Sequence, residues 1–504
     1  MLWETLRASA LDMPGLVACA DADGTVTYGA LAEAAEATAR EIAVVPGSPV
    51  GVAIVPGSDL IATVWAIWAS QAAYVPLSPT DPSARTARRI SELALGTVLA
   101  DEHNLATVAR ACEIAGLPYR VDRSRRGPLS RVRINAPPCT LLPASCAAIY
   151  PTSGSTGQPK NVAIDGSALL NVAQWSLRTT SIRPASRVAQ CYPPTFDAFL
   201  LVAMEAALSQ ACLVFPPHGW TFTPSRMARW LRDSAITHLD MTPSTLRLLM
   251  RVPRGGRLTS GEPPLPLLQS LVLGGEILPW SLADDARGLS PLVEIFNMYG
   301  LTESTVTAFA YRVPARPSPG ALSVPIGKAV PGITAELDCR PDGVHELVLS
   351  GPGISPGYLS TAGRDLFPFP GAYRTGDLVA PDSARDLVFI GRADQRLSLR
   401  GHRIEAAEIE EAARAVPFVT EAAAFIYREA GIDRLALAYE PAAASPHRKP
   451  DLREALRRVL PPEWQPRYLL QCREIPLTDS GKRDAARLTE WLAAQLSEAP
   501  AARQ

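Results

Sequence analysis

Between residues 147 and 296 short apolar runs alternate with helical patterns, and this alternation narrows the possible folds more than any other feature. Ala147–Thr152 reads as a strand, Gly166–Thr180 as a helix, Arg187–Tyr192 as a strand and Asp197–Leu208 as an apolar helix. Ala211–Phe215, Ile236–Met241, Leu271–Leu273 and Leu292–Phe296 continue the strands. Pro224–Asp233 and Pro243–Arg251 continue the helices, the latter with proline in its first turn. Such a pattern implies an α/β fold with buried, mostly parallel sheets. The last hundred residues read differently. Asp386–Ile390, Arg396–Arg400, Ala422–Tyr427 and Leu435–Tyr439 are strand-like, while Glu405–Ala415 and Asp451–Leu460 are helical. The expected organisation is a large N-terminal body of α/β subdomains, 1–393, and a small mobile α+β C-terminal lid, 394–504. The hinge is expected at Asp394, in the polar turn GRADQ.

With 504 residues the chain exceeds one ordinary core. It carries 49 basic and 50 acidic residues, a net charge of −1, which argues against nucleic acid and membrane surfaces as partners. The N-terminus lacks a basic n-region, and the apolar stretch Leu60–Leu77 is broken by Ser70, Gln71 and Pro76, so it reads as a buried helix running into a strand. Eight scattered cysteines without a CxxC pair suit reduced thiols in a cytoplasmic protein, and six unclustered histidines argue against zinc.

The stretch SGSTGQPKN, 153–161, follows a strand-like run. A Walker loop counted from Gly154 needs a second glycine where Pro159 stands and a hydroxyl residue where Asn161 stands, so that reading fails. A phosphate cradle fits better than a spacer. Gly154 and Gly157 let the backbone approach an anion, Thr152, Ser153, Ser155 and Thr156 offer hydroxyls, and Lys160 offers a charge.

The longer segment IYPTSGSTGQPKNVAI resembles the signature loop of the adenylate-forming superfamily, which includes acyl-CoA synthetases, luciferases and the adenylation domains of nonribosomal peptide synthetases. VTYGAL, AAYVPLSPTDP, FNMYGLTEST, YRTGDL, GRADQRLSLRGHRIEAAEIE and PLTDSGKRD resemble further family segments in the family's order. The match is closest to the peptide-synthetase branch. The resemblance implies that a carboxylate attacks the α-phosphate of ATP and pyrophosphate leaves. That nucleophile is ionised at pH 7 and needs no base, so catalysis reduces to charge neutralisation and positioning.

The roles implied by the resemblance fall on particular residues of this chain. Lys482 is the catalytic lysine, reaching the substrate carboxylate and the α-phosphate; its plain alternative is a solvated surface lysine. Glu303 holds Mg²⁺, or is merely a helix-start carboxylate. Thr302 touches phosphate. Tyr299 stacks on adenine, or is a core tyrosine, and Asn297 and Gly300 belong to the same segment. Asp377 accepts from ribose and Arg392 binds it from the hinge side; either is otherwise a member of a surface ion pair. The 152–160 loop clamps the leaving pyrophosphate.

Asp197 stands where amino-acid-activating members bind the substrate α-ammonium, the alternative being an N-cap aspartate. The pocket implied by alignment is Asp197, Ala198, Leu201, Asp240, Val272, Gly274, Met298, Val306 and Thr307. Asp240 and Thr307 make it polar. The expected substrate is threonine or a hydroxylated relative first, and a short diamino acid second. An acyl- or aryl-CoA ligase is the rival enzyme reading, and a catalytically silent binding protein the rival class. No carrier or condensation signature accompanies the chain, so a stand-alone enzyme is expected, passing its product to a phosphopantetheinylated carrier protein in trans, with a small helper protein left open as a further partner.

The chain departs from the family where Asn161 replaces a glycine, Leu301 a proline and Ala485 an arginine, and where Arg396 and Ser398 replace glutamine and lysine. For Asn161 the expectation is tolerance of positive φ.

Overall fold

The computed structural model describes the chain apart from residues 1, 79–80, 82, 124–128, 137–141, 144, 153–159, 218–222, 251–262, 316–322, 340–342, 360–365, 368–370, 383–384, 393–396, 400–401, 405, 430–431, 443–448, 461–464, 478–482 and 499–504. Contacts divide it into two compact units. The first comprises Met1–Leu337, Val348–Arg374 and Pro381–Val388, and the second Asp338–Leu347, Thr375–Ala380 and Phe389–Gln504.

The first unit is α/β, with two nine-stranded sheets. In one, the strands Glu294–Tyr299, Ser270–Gly274, His238–Met241, Arg187–Ala189, Cys212–Val214 and Val17–Asp21 run parallel side by side, with antiparallel strands at the edges. In the other, Cys146–Thr152, Ala73–Pro76, Pro49–Ala53 and Thr97–Ala100 form the parallel centre. Helices Leu2–Asp12, Tyr28–Ile42, Ser58–Ala69, Gly166–Thr180 and Ala198–Ser209 pack one core with residues of both sheets. The helix AFLLVAMEAALS is apolar on all sides apart from Glu205 and is buried almost throughout, as such a composition demands. Its neighbour Gly166–Thr180 starts where Asp165 accepts from the Ser167 and Ala168 amides.

The second unit contains the antiparallel pair Val419–Glu429 and Ile432–Pro441, with Tyr468–Gln471 parallel to the latter. Helices Ala406–Arg414 and Lys449–Val459 pack on one core there, and Ala485–Glu498 on another.

Asn161 takes a different course from the expectation. It is a strand residue, 2% exposed, opposite Pro151 and Leu359. It is absent from the positive-φ residues, so left-handed tolerance is not what it supplies. Its Oδ1 instead accepts from Arg89 Nη1 at 3.2 Å. Arg89 also donates to the carbonyls of Ile149 and Pro76, at 3.2 and 3.3 Å. A glycine at 161 would leave that part-buried guanidinium one acceptor short.

Candidate active site

Strand register builds the floor of the site. Asp240 pairs with Val272, Val272 with Phe296, and Gly274 with Met298. Residues paired across adjacent strands, and residues two apart along one strand, project from the same face. Asp240, Val272, Gly274, Phe296 and Met298 therefore share a face, and Trp175 packs against the apolar three, Val272, Phe296 and Met298.

One wall is the start of the Ala198–Ser209 helix. Asp197 caps it, its Oδ1 accepting from the Ala198 amide at 2.9 Å, so the N-cap role is real. Burial raises its pKa above the usual range, against the nearby Thr302 and the Ala198 bond, and the Glu303 charge raises it further. Among the described residues no cation pairs with it. Ala198 and Leu201 follow on the same helix, both buried.

Asp240 is pushed up to about 7 by burial, although its Oδ1 accepts from the Tyr192 hydroxyl at 2.7 Å. Tyr192 stacks on Phe196, with ring centroids 5.4 Å apart and an interplanar angle of 5°. Glu205 lies two turns beyond Asp197 and is 5% exposed. Burial pushes it up to about 8, the nearby Ser176 draws it down and the Asp240 charge raises it. The buried Ser176 hydroxyl closes no hydrogen bond of ordinary geometry.

The segment after Tyr299 forms the second wall. Thr302–Ser304 is a 3-10 turn, with Glu303 buried at 7% exposure. Leu301 has φ −131°, and its amide donates to Ser304 Oγ at 3.0 Å. Proline could satisfy neither condition, which accounts for leucine here. Thr305 and Val306 follow with φ 54° and 71°. Two β-branched residues in the left-handed region cost roughly 1–3 kcal/mol each and persist only where packing dictates them. The Thr305 hydroxyl donates to the Gly353 carbonyl at 2.9 Å, and Thr307 is buried. Gly300 makes the turn possible, because a Cβ there would lie 2.0 Å from the Val306 carbonyl oxygen.

Tyr299 packs edge-on to Phe309, with centroids 5.9 Å apart. Asn297 is buried and donates to the Pro325 and Val324 carbonyls at 2.8 and 3.3 Å. Glu303 Oε1 accepts from the Tyr358 hydroxyl at 2.7 Å, and Lys160 Nζ lies 4.8 Å from the centroid of the same ring. Thr152 ends its strand with its Cα opposite Lys160.

In the second unit Asp377 and Arg392 are brought together. Arg392 Nη1 donates to Asp377 Oδ1 at 2.9 Å, and the Asp377 amide donates to Thr375 Oγ1 at 2.9 Å. Asp377 is 3% exposed, so this is no ordinary surface pair. Arg483 is ion-paired with the buried Glu410 of helix Ala406–Arg414. Ser153, Gly154, Ser155, Thr156, Gly157, Asp394, Arg396 and Lys482 lie outside the described residues, as do the side chains of Thr152 and Ser398.

Sequence reasoning passed over Tyr358, Tyr192 and Glu205. Glu205 had a local signal, being the lone charge in an otherwise apolar helix. Tyr358 had none, since its contacts depend on pairing between segments distant in sequence.

A single carboxylate with one oxygen engaged is a fitting Mg²⁺ partner, because that ion is held by one or two carboxylates together with substrate phosphates. Among the described residues no group of three or more His, Cys, Asp or Glu is placed to form an all-protein cage. Also among them, no helix is long and apolar enough to cross a membrane.

A family model described as AMP-binding enzyme matches residues 6–359. The probable non-canonical nonribosomal peptide synthetase CymA of Salinispora arenicola is 32% identical over 96% of this chain, which spans 6% of that protein. Novobiocin biosynthesis protein H of Streptomyces niveus is 29% identical over 97% of this chain and 82% of its own length. Among solved structures, IdnL7 superposes with a TM-score of 0.80 at 26% identity, covering 98% of this chain and 99% of that one.

Proposed function

The chain belongs to the AMP-binding enzyme family, and on that premise we propose that it activates an amino acid with ATP and hands it to a carrier protein. An oxygen of the amino-acid carboxylate bonds to the α-phosphorus. The bond from that phosphorus to the bridging oxygen breaks, giving aminoacyl-AMP and pyrophosphate. A carrier phosphopantetheine thiol then takes the aminoacyl group as a thioester and releases AMP.

The observation that carries the amino-acid assignment is Asp197. It is a carboxylate with a desolvated character, beside the Thr302–Ser304 turn and without a cation among the described residues. An α-ammonium supplies the missing charge. The substrate of an acyl- or aryl-CoA ligase brings no α-ammonium to pair with it. Lys160 and the 152–157 loop hold the departing phosphates, Lys482 bridges the carboxylate and α-phosphate, and Asp377 with Arg392 takes the ribose. Tyr299 faces adenine, with Asn297 and Gly300 shaping that segment. Glu303 is the metal carboxylate, with Mg²⁺ supplying charge neutralisation at the phosphates. Motion at Asp394 lets residues 394–504 act as a lid on 1–393. The carrier acts in trans, a small helper protein is a further candidate partner, and the compartment is cytoplasmic. Amino-acid-dependent ATP–pyrophosphate exchange tests the assignment.

For the side chain, threonine or a hydroxylated relative suits Asp240 and Thr307, within a pocket completed by Ala198, Leu201, Val272, Gly274, Met298 and Val306. Tyr192 already serves one oxygen of Asp240, so an aliphatic substrate would strand less polar surface than the sequence suggests. Glu205 favours the second substrate, a short diamino acid, because two desolvated acids close enough to interact suit one ammonium.

A pH profile separates these side chains from aliphatic ones. Asp240 and Glu205 ionise as pH rises through about 7 and about 8. A donating or cationic side chain binds the ionised forms, so its KM should fall between pH 6 and pH 8. An aliphatic side chain leaves the new charge uncompensated, so its KM should rise over the same interval. Steady-state exchange with threonine, a diamino acid and valine provides the comparison.

A further inference from the structure

Tyr358 joins two charged groups, Lys160 and Glu303, both assigned to the phosphate end of the nucleotide. It sits on the strand Gly357–Leu359, opposite Val162. Lys160 is two residues from Val162 and so projects from the same face, within diagonal reach of Tyr358. Its Nζ lies 4.8 Å from the ring centroid, a cation–π distance. The phenol of the same ring donates to Glu303 Oε1 at 2.7 Å. Since that proton is committed, the Tyr373 hydroxyl 3.2 Å away is the donor to Tyr358.

The backbone holds this arrangement in place. The Ser355 amide donates to the Glu303 carbonyl at 2.8 Å, and the Ser355 hydroxyl to the Ala163 carbonyl at 2.6 Å. Residues 355–358 thus stitch the strand that begins at Lys160 to the turn that carries Glu303.

We propose that Tyr358 is a positioning residue. Its hydroxyl fixes Glu303 with one oxygen engaged and the other available to a divalent cation, and its ring holds Lys160 until a triphosphate takes the ammonium. This rests on the reading of Glu303 as the metal carboxylate.

The test is Mn²⁺ binding, read by electron paramagnetic resonance in the presence of a non-hydrolysable ATP analogue. Losing the hydrogen-bond partner of a metal ligand commonly costs about 10–100-fold in affinity. Tyr358→Phe keeps the ring and should weaken Mn²⁺ by about tenfold or more, with metal-free binding of the analogue unchanged. Tyr358→Leu also removes the ring beneath Lys160 and should tighten metal-free analogue binding relative to Tyr358→Phe; equal affinities overturn the role assigned to the ring. Tyr373→Phe removes only the hydroxyl that orients Tyr358 and should weaken Mn²⁺ in the same sense but less. It serves as the test if Tyr358→Phe does not fold. Glu303→Gln separates the two levels. If it weakens Mn²⁺ while both tyrosine variants bind as the parent does, the positioning role is overturned and the metal reading stands. If Glu303→Gln binds Mn²⁺ normally, the metal reading fails and the inference with it.

Discussion

Replacing Asp197 by alanine should lower kcat/KM for the amino acid in pyrophosphate exchange by about 100-fold or more while leaving ATP-analogue affinity near that of the parent. The magnitude follows from the chemistry. Removing one partner of a buried charge pair costs about 3–5 kcal/mol. Asp197 has a second function, since its Oδ1 caps the Ala198–Ser209 helix. Loss of a cap costs about 1 kcal/mol. Asp197→Asn separates the two contributions, because asparagine caps as well as aspartate but carries no charge. The asparagine variant should therefore keep its thermal stability and still lose most of its activity. Activity within about threefold of the parent in both variants would overturn the ammonium assignment, since such a factor is worth less than 1 kcal/mol.

Gly300→Ala should be as damaging, for a different reason. The new Cβ would lie 2.0 Å from the Val306 carbonyl oxygen, 2.7 Å from its carbon and 2.8 Å from Thr307 Cα. All three are backbone atoms, so no side-chain rotation relieves the clash. Overpacking of this kind costs roughly 1–3 kcal/mol of stability. The functional cost is larger, because the displaced turn carries Thr302, Glu303, Val306 and Thr307. A misplacement of about 1 Å can cost about 100-fold in rate. Exchange activity should fall by that order, with a modest drop in melting temperature. Gly96→Ala is the control, since a Cβ there meets nothing within 4 Å. Gly96→Ala should retain parental activity, whereas a fully active Gly300→Ala would show that the turn does not need its close backbone approach.

Much of the fold was legible because local pattern and tertiary packing agree. Gly166–Thr180 and Pro224–Asp233 form helices with the predicted bounds, each with a capping residue just before it. Strand ends were harder. Arg187–Tyr192 shortens to Arg187–Ala189 because the chain leaves the sheet to bring Tyr192 to Asp240. Leu292–Phe296 moves to Glu294–Tyr299, where pairing on both sides extends the strand to the site. Of the residues expected to line the pocket, register places Asp240, Val272, Gly274 and Met298 on one face. Partners across long separations were hidden. Nothing near Asn161 announces Arg89, and nothing near Glu303 announces Tyr358.

Pyrophosphate exchange across a panel of amino acids, with aryl and fatty acids beside them, decides what the enzyme activates. Exchange should depend on an amino acid with a small polar or short basic side chain and should be lost in Asp197→Asn. Exchange supported by aryl or fatty acids instead, and indifferent to that substitution, would contradict the amino-acid assignment.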